Sequence, residues 1–250
     1  MGLTKQLRKL ADWLDAPEYR EARRKRVPYN LYRFFKRVKL WGKVATVLDI
    51  GANHGHFARA AVNCFPTATV HAFEPLTVCQ EKLQRTADRY GRIEVHQLAL
   101  GEEPGKVTMF ENDYPDSSSL LPMTERHKEL WPKTRNETEI EVDRQCLDNL
   151  HERIGTGPHL IKLDVQGYEL HVLKGAQKTL EDTLVVMCEV CFEKFYEGQA
   201  DFSEIYTFMG EHGFSFAEFV AVSRIPPADE VAFADAVFIN NRLRRVRSQG

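Results

Sequence analysis

The feature that most constrains this chain is a set of short apolar segments that each run into an acid. Residues 44–50 read VATVLDI and carry Asp49, and 67–75 read TATVHAFEP and reach Glu74 just before Pro75. Residues 159–165, HLIKLDV, reach Asp164, and LVVMCEV carries Glu189. Strands this apolar on both faces belong to parallel sheets covered by helices. Helical stretches lie between them: 56–65, LTVCQEKLQRTADRY, ELHVLKGAQKTLED and about 201–212. IEVHQLALG reads as a third strand, VTMFEND and the start of IEVDRQCLDNL as two more, and FSFAEF and DAVFINN as the closing pair. The alternation predicts an α/β fold, a doubly wound sheet with helices on both faces. Residues 105–146 break it. They are polar, with Pro115, Pro122, Pro132 and three consecutive serines from Ser117, and read as an insertion over one end of the sheet. Sheets of this kind bind ligands at the carboxyl ends of their strands, where these acids sit.

Composition narrows the class. The 250 residues suffice for one large α/β domain or two small ones, and 15 Phe, 8 Tyr and 3 Trp argue against a disordered chain. No run of about 18 apolar residues is present to span a membrane. The N-terminus MGLTKQLRKLADWLDAP is broken by charges and lacks a secretory h-region, and Gln6 stands where a myristoylation signal needs Ser or Thr, so a cytoplasmic protein is expected. Five scattered cysteines do not form a disulfide framework, and Cys188 with Cys191 is a lone CxxC inside an apolar strand, expected as buried thiols. The net charge of −2 hides an asymmetry: residues 1–43 carry 13 basic against 4 acidic side chains, 242–250 add four arginines, and the body between carries −15. Leu3, Leu7, Leu10 and Leu14 recur at helical spacing, and YNLYRFFKRVKLW mixes aromatic with basic residues. The expected organisation is a basic, partly amphipathic helical extension over 1–43, a catalytic domain over 44–241 and a basic tail over 242–250. The extension either packs apolar faces on the domain or is drawn to something anionic: a membrane surface at the inner face, a phosphorylated or lipid-linked substrate, or the body of a second copy. The acidic body and the lack of a recognition motif argue against nucleic acid, and a homo-oligomer is left open.

The chemistry starts at Asp49-Ile50-Gly51-Ala52-Asn53-His54-Gly55, a strand, a glycine turn and a helix. Gly51 lets the backbone turn sharply beneath a ligand, and Gly55 lets the helix start close to it. A dinucleotide fingerprint needs G-x-G-x-x-G to seat a pyrophosphate; here Asn53 replaces the second glycine and no third follows. Glu74, at the end of the next strand, is placed to accept from both ribose hydroxyls. A ribose without a pyrophosphate, beside the acid Asp49, points to S-adenosylmethionine, whose sulfonium and amino group are cationic.

LDIGANHGHFARAAV, HAFEP, LALGEEPGKVTMF, the serine stretch ending SSL and above all IKLDVQGYELHVLKGA resemble the FkbM family of S-adenosylmethionine-dependent methyltransferases, from about Val47 to about Asn240. The resemblance implies a class I methyltransferase fold, Rossmann-like, with a seven-stranded sheet whose last strand runs antiparallel. It implies O-methylation of hydroxyls on sugars, glycans and polyketide-type metabolites. By the same resemblance Asp49, Gly51, Asn53 and Gly55 line the methionine end of the cofactor, Glu74 holds the ribose, Pro75 and Leu76 lie on the adenine side, Ala99 lies beside the ring, and Asp164 faces the methyl group. One departure stands out: Gln166 occupies a position where the family usually has Glu, and Gln takes no proton at neutral pH.

Methyl transfer to an alcohol gains from in-line positioning and from a base that removes the hydroxyl proton. Asp164 is the first candidate base, Glu189 the second and His54, with His56, the third. Lys162, two residues before Asp164, is placed to pair with a carboxylate. Asp164 and Glu189 together offer two oxygen ligands, and no metal is expected. In the insertion, Tyr114, Ser118 and Trp131 are the candidate acceptor contacts. Two rivals remain: a methyltransferase-like binding protein without catalysis, motivated by Gln166, and a nicotinamide-dependent dehydrogenase, which the missing glycines disfavour.

Overall fold

The structure, a computed structural model, describes residues 17–244. The Leu3–Leu14 helix and the tail residues Arg245 and Arg247 of the sequence reading lie outside the described residues.

Among the described residues the strands are β1 (Thr46–Ile50), β2 (Thr69–Phe73), β3 (Ile93–His96), β4 (Ala99–Leu100), β5 (Gly105–Asn112), β6 (Glu137–Gln145), β7 (His159–Leu163), β8 (Thr183–Cys191), β9 (Phe214–Ile225) and β10 (Glu230–Asn240). The main sheet has the order β3-β2-β1-β7-β8-β10-β9. Its first five strands are parallel, and β10 runs antiparallel between β8 and β9. The sheet is therefore that of the class I methyltransferases: seven strands, the last in sequence antiparallel.

The helices are α1 (Pro17–Lys25), α2 (Tyr29–Trp41), α3 (His56–Cys64), α4 (Thr77–Tyr90), α5 (Glu125–Leu130), α6 (His151–Ile154), α7 (Glu169–Lys174), α8 (Gln177–Glu181) and α9 (Phe202–Glu211). Successive strand residues point to opposite faces, so the sheet carries two cores. Val47, Val70, Ala72 and Leu160 pack under α1 to α4. Leu48, Ile50, Phe73 and Ile161 pack under α7 to α9.

Three sequence expectations change in detail. IEVHQLALG is not one strand: the chain leaves the main sheet after His96, and Ala99–Leu100 pairs with β6. The two strands expected in and beside the insertion form, with β4, a separate three-stranded sheet. ELHVLKGAQKTLED breaks at Gly175, where a Cβ would stand 2.0 Å from the Gly101 carbonyl oxygen. That close approach fixes the end of α7 against the start of the insertion.

The second basic stretch is a layer of the domain. Tyr32, Phe34, Phe35 and Val38 of α2 are buried, and the Phe35 ring lies 5.3 Å from those of Phe57 and Phe65. The intervening Arg33, Lys36 and Lys39 stay exposed. Phe35→Ala is expected to cost about 3–5 kcal/mol of stability, read as a lower urea midpoint at unchanged m.

Candidate active site

The turn after β1 is built from backbone. The Gly51 and Ala52 N–H groups both donate to the Phe73 carbonyl at 3.0 Å. Gly51 has φ +74°, and a Cβ there would sit 1.9 Å from the Asp164 carbonyl oxygen. The end of β1 thus presses directly on the end of β7. Asn53 takes the left-handed conformation, φ +47°, which aims its N–H at Glu74 Oε2, 2.8 Å away. Glu74 Oε1 accepts from the Leu76 N–H at 2.9 Å. Burial pushes the Glu74 carboxyl up, and these two N–H groups pull against that. Each oxygen keeps a lone pair for a further donor.

Beneath the turn lies a charged brace. Lys162 Nζ donates to the Gly51 carbonyl at 2.8 Å and stands 3.3 Å from Asp164 Oδ2 and 3.6 Å from Asp49 Oδ1. Burial would lower the Lys162 pKa, but Asp164 and Asp49 more than offset it and hold the ammonium charged. Asp49 is fully buried and accepts from the Ala58 N–H at 2.9 Å. Burial lifts its carboxyl to about 6 against the pull of Lys162 and that N–H.

Across the cleft, Gln166 joins two carboxylates on neighbouring strands. Its Nε2 donates to Asp164 Oδ1 at 2.7 Å and to Glu189 Oε1 at 3.1 Å. The Tyr196 hydroxyl lies 3.0 Å from Gln166 Oε1, which fixes the amide with its N–H groups toward the acids. The Ser119 hydroxyl donates to the Gln166 carbonyl at 2.7 Å, tying this loop to the insertion. Burial, reinforced by Asp164, Glu169 and Asp235, pushes the Glu189 carboxyl well above the carboxylate range. Asp235 faces Glu189 across β10 and β8; burial and Asp164 raise it to about 6.

Gly51, Asn53, Glu74, Asp164, Gln166, Glu189 and Tyr196 line one cavity of about 390 Å³. At one end Phe73, Leu76, Leu98, Ala99, Leu100 and Met109 form an apolar slot beside Glu74. At the other, Asp164, Gln166 and Glu189 face an aromatic wall of His127, Trp131, Phe195, Tyr196 and Phe233. Pro115 to Ser118 of the insertion line it as well, and Asn53 Nδ2 reaches Asp116 Oδ1 at 2.6 Å.

Of the residues singled out from sequence, Gly51, Asn53, Glu74, Pro75, Leu76, Ala99, Asp164, Glu189, Ser118 and Trp131 line this cavity. Asp49, Gly55, His54, His56 and Tyr114 are not among its lining residues. Asp49 sits behind the turn, engaged by α3 and Lys162. Gly55 packs against α4, where a Cβ would meet Leu83 at 2.8 Å. Apart from Trp131, the aromatic wall escaped the sequence reading. Phe195 and Tyr196 lie in an irregular stretch after β8 and reach the cavity through a bridge between Met123 and Tyr196, a pairing with no local signal.

A cleft at the carboxyl ends of parallel strands, with a pinned acid beside an apolar slot and no dinucleotide glycines, defines an enzyme of the class I methyltransferase type. Residues 49–216 match the model of the methyltransferase FkbM domain. The chain belongs to the FkbM methyltransferase family, whose methyl donor is S-adenosylmethionine. It is 26% identical over 160 residues to the 2-O-methyltransferase NoeI of Sinorhizobium fredii, covering 61% of this chain and 66% of that protein. It is 30% identical over 196 residues to the 31-O-demethyl-FK506 methyltransferase FkbM of Streptomyces tacrolimicus, covering 68% and 72%. The structure is similar to that of Aeropyrum pernix fibrillarin with bound S-adenosyl-L-methionine, at TM-score 0.46 and 8% identity over 80% of this chain and 68% of the other.

The cavity fits that donor. A buried carboxylate that only accepts suits a ribose diol, and the apolar slot beside it suits a flat base. Glu74→Ala is expected to weaken S-adenosylmethionine binding by about 1–3 kcal/mol, roughly 5- to 150-fold in Kd. Calorimetry reads this directly, and an unchanged Kd would refute a ribose contact at Glu74.

Proposed function

We propose that this protein methylates a hydroxyl group of a sugar, glycan or related metabolite. The observation that carries the reading is the pair Asp164 and Glu189, held on one amide at the end of the cavity away from Glu74. Bound S-adenosylmethionine supplies an electrophilic methyl group on a sulfonium. The chain then has three tasks. Glu74, Asn53 and the apolar slot would hold the nucleoside. Asp164 takes the hydroxyl proton, and Glu189 is the second candidate; a positioned base contributes roughly 10²–10⁴-fold. Trp131, Phe195 and Tyr196 offer flat faces for the carbon side of a sugar ring, and Ser118 offers a hydroxyl. Such a mix of aromatic walls with a few convergent polar groups orients a small ligand. A screen of sugar nucleotides and lipid-linked glycans, scored by release of S-adenosylhomocysteine, tests the acceptor class. Turnover with apolar alcohols but with none of the sugars would overturn it.

We also propose that the basic face of α1 and α2 draws the enzyme to anionic surfaces at the inner face of the membrane. Arg23, Arg24, Arg26, Arg33, Lys36 and Lys39 are exposed there, and no helix among the described residues is long and apolar enough to cross a membrane. Because α2 is part of the core, charge reversal at Arg23, Arg24 and Arg26 tests this better than deletion. Binding to phosphatidylserine vesicles should weaken with those changes and with salt; binding indifferent to both would refute it.

A further inference from the structure

At the edge of the main sheet, outside the cavity lining and behind the Phe73 ring on which His96 stacks at 4.5 Å, His71 of β2 lies opposite Glu94 of β3, and His96 lies two residues further along β3 on the same face. His71 Nδ1 is 3.0 Å from His96 Nε2 and 3.7 Å from Glu94 Oε2. One ligand atom from each of the three side chains falls within 4.8 Å of the others. Both imidazoles are buried, at 2% exposure each, while the Glu94 side chain is 54% exposed.

We propose that His71, Glu94 and His96 form a binding site for a divalent transition-metal ion, with zinc the best fit. Two imidazole nitrogens and one carboxylate oxygen make a common zinc donor set, with a fourth position left for water. Nitrogens 3.0 Å apart can each lie about 2.1 Å from one ion at an angle of about 90°, and a small opening of the pair brings it toward tetrahedral. The protonation state suits ligation. Burial lowers the His96 pKa to about 4, and the nearby Arg153 and His71 act in the same sense. Burial also lowers that of His71, against Glu94 and with Arg153. Both shifts favour the neutral ring that a metal ligand must present. Without an ion, the two rings satisfy one another through a single hydrogen bond, and His96 Nδ1 stays buried with no partner. Among the described residues, Glu94 forms an ion pair with His71 alone. Its exposed carboxylate is the route by which an ion arrives. The bound ion would clamp β3, an edge strand, to β2.

The test uses the untagged full-length protein, stripped with chelator and titrated with Zn²⁺ alone. The expected result is one ion per chain, a raised unfolding temperature, and binding at least about tenfold weaker in Glu94→Gln. Glu94 is exposed, so that variant is expected to fold even where His71→Asn or His96→Asn does not. Co²⁺ adds a spectroscopic readout: weak visible bands of a nitrogen and oxygen site, without the intense near-ultraviolet band of thiolate ligation. No saturable binding, undiminished binding in Glu94→Gln, or a thiolate band that places the ion on Cys188 and Cys191 would each overturn the proposal. The first of these outcomes leaves a hydrogen-bonded imidazole pair and nothing more.

Discussion

Gly51→Ala is expected to cost about 3–5 kcal/mol of stability and to abolish cofactor binding in whatever remains folded. Two penalties add. The residue sits at φ +74°, where a Cβ is strained, and that Cβ would stand 1.9 Å from the Asp164 carbonyl oxygen. The obstacle is backbone at the end of a central strand, so no rotamer change relieves it. Either β7 moves away from β1 or the turn flattens. Flattening breaks the paired N–H contacts to the Phe73 carbonyl and displaces the Asn53 N–H from Glu74. Differential scanning calorimetry should show a fall on the order of 10 °C for a domain of this size. A wild-type unfolding temperature would mean that β1 and β7 are less tightly apposed than described.

Asp164→Asn is expected to lower kcat by roughly 10²–10⁴-fold while changing the S-adenosylmethionine Kd little. The amide has nearly the same shape, and its oxygen still accepts from Gln166 or Lys162. What it cannot do is take a proton at neutral pH. The comparison with Glu189→Gln assigns the base. A larger loss in the Glu189 variant would transfer the role to β8, and small losses in both would leave orientation as the main source of rate. Gln166 is part of the same experiment. Replacing it with Leu removes the donor shared by Asp164 and Glu189, and the pH profile of turnover should move even where cofactor affinity does not.

The parallel core was legible because its strands are apolar on both faces and end in acids, which fixes both their burial and the edge at which a ligand binds. Gly51, Asn53 and Glu74 line the cavity, and they stood out in the sequence because a tight turn at the end of a parallel strand admits few residue types. Asp49 was read as a cofactor contact on the same logic. The acid lies fully buried beneath the turn, where it accepts from the Ala58 N–H and faces Lys162. Sequence spacing shows that an acid is near a turn, not which side of the turn it faces. His54 is likewise not among the residues that line the cavity. Apart from Trp131, the aromatic wall was invisible because its members come from α5 and the residue after it, the stretch after β8, and β10. Only the tertiary fold brings Trp131, Phe195 and Phe233 together, with ring centroids 5.1 to 6.4 Å apart.

The position of β10 bears on how the molecule is made. This strand lies between β8 and β9, each of which leaves the ribosome before it does. A nascent chain that has released β9 therefore has a gap in its hydrogen-bond ladder, which only the final segment closes. Phe233, which lines the cleft with Trp131 and Phe195, belongs to that segment, so that wall of the cleft is finished last. Synthesis that stalls before residue 230 should yield a product with an open sheet edge, prone to association.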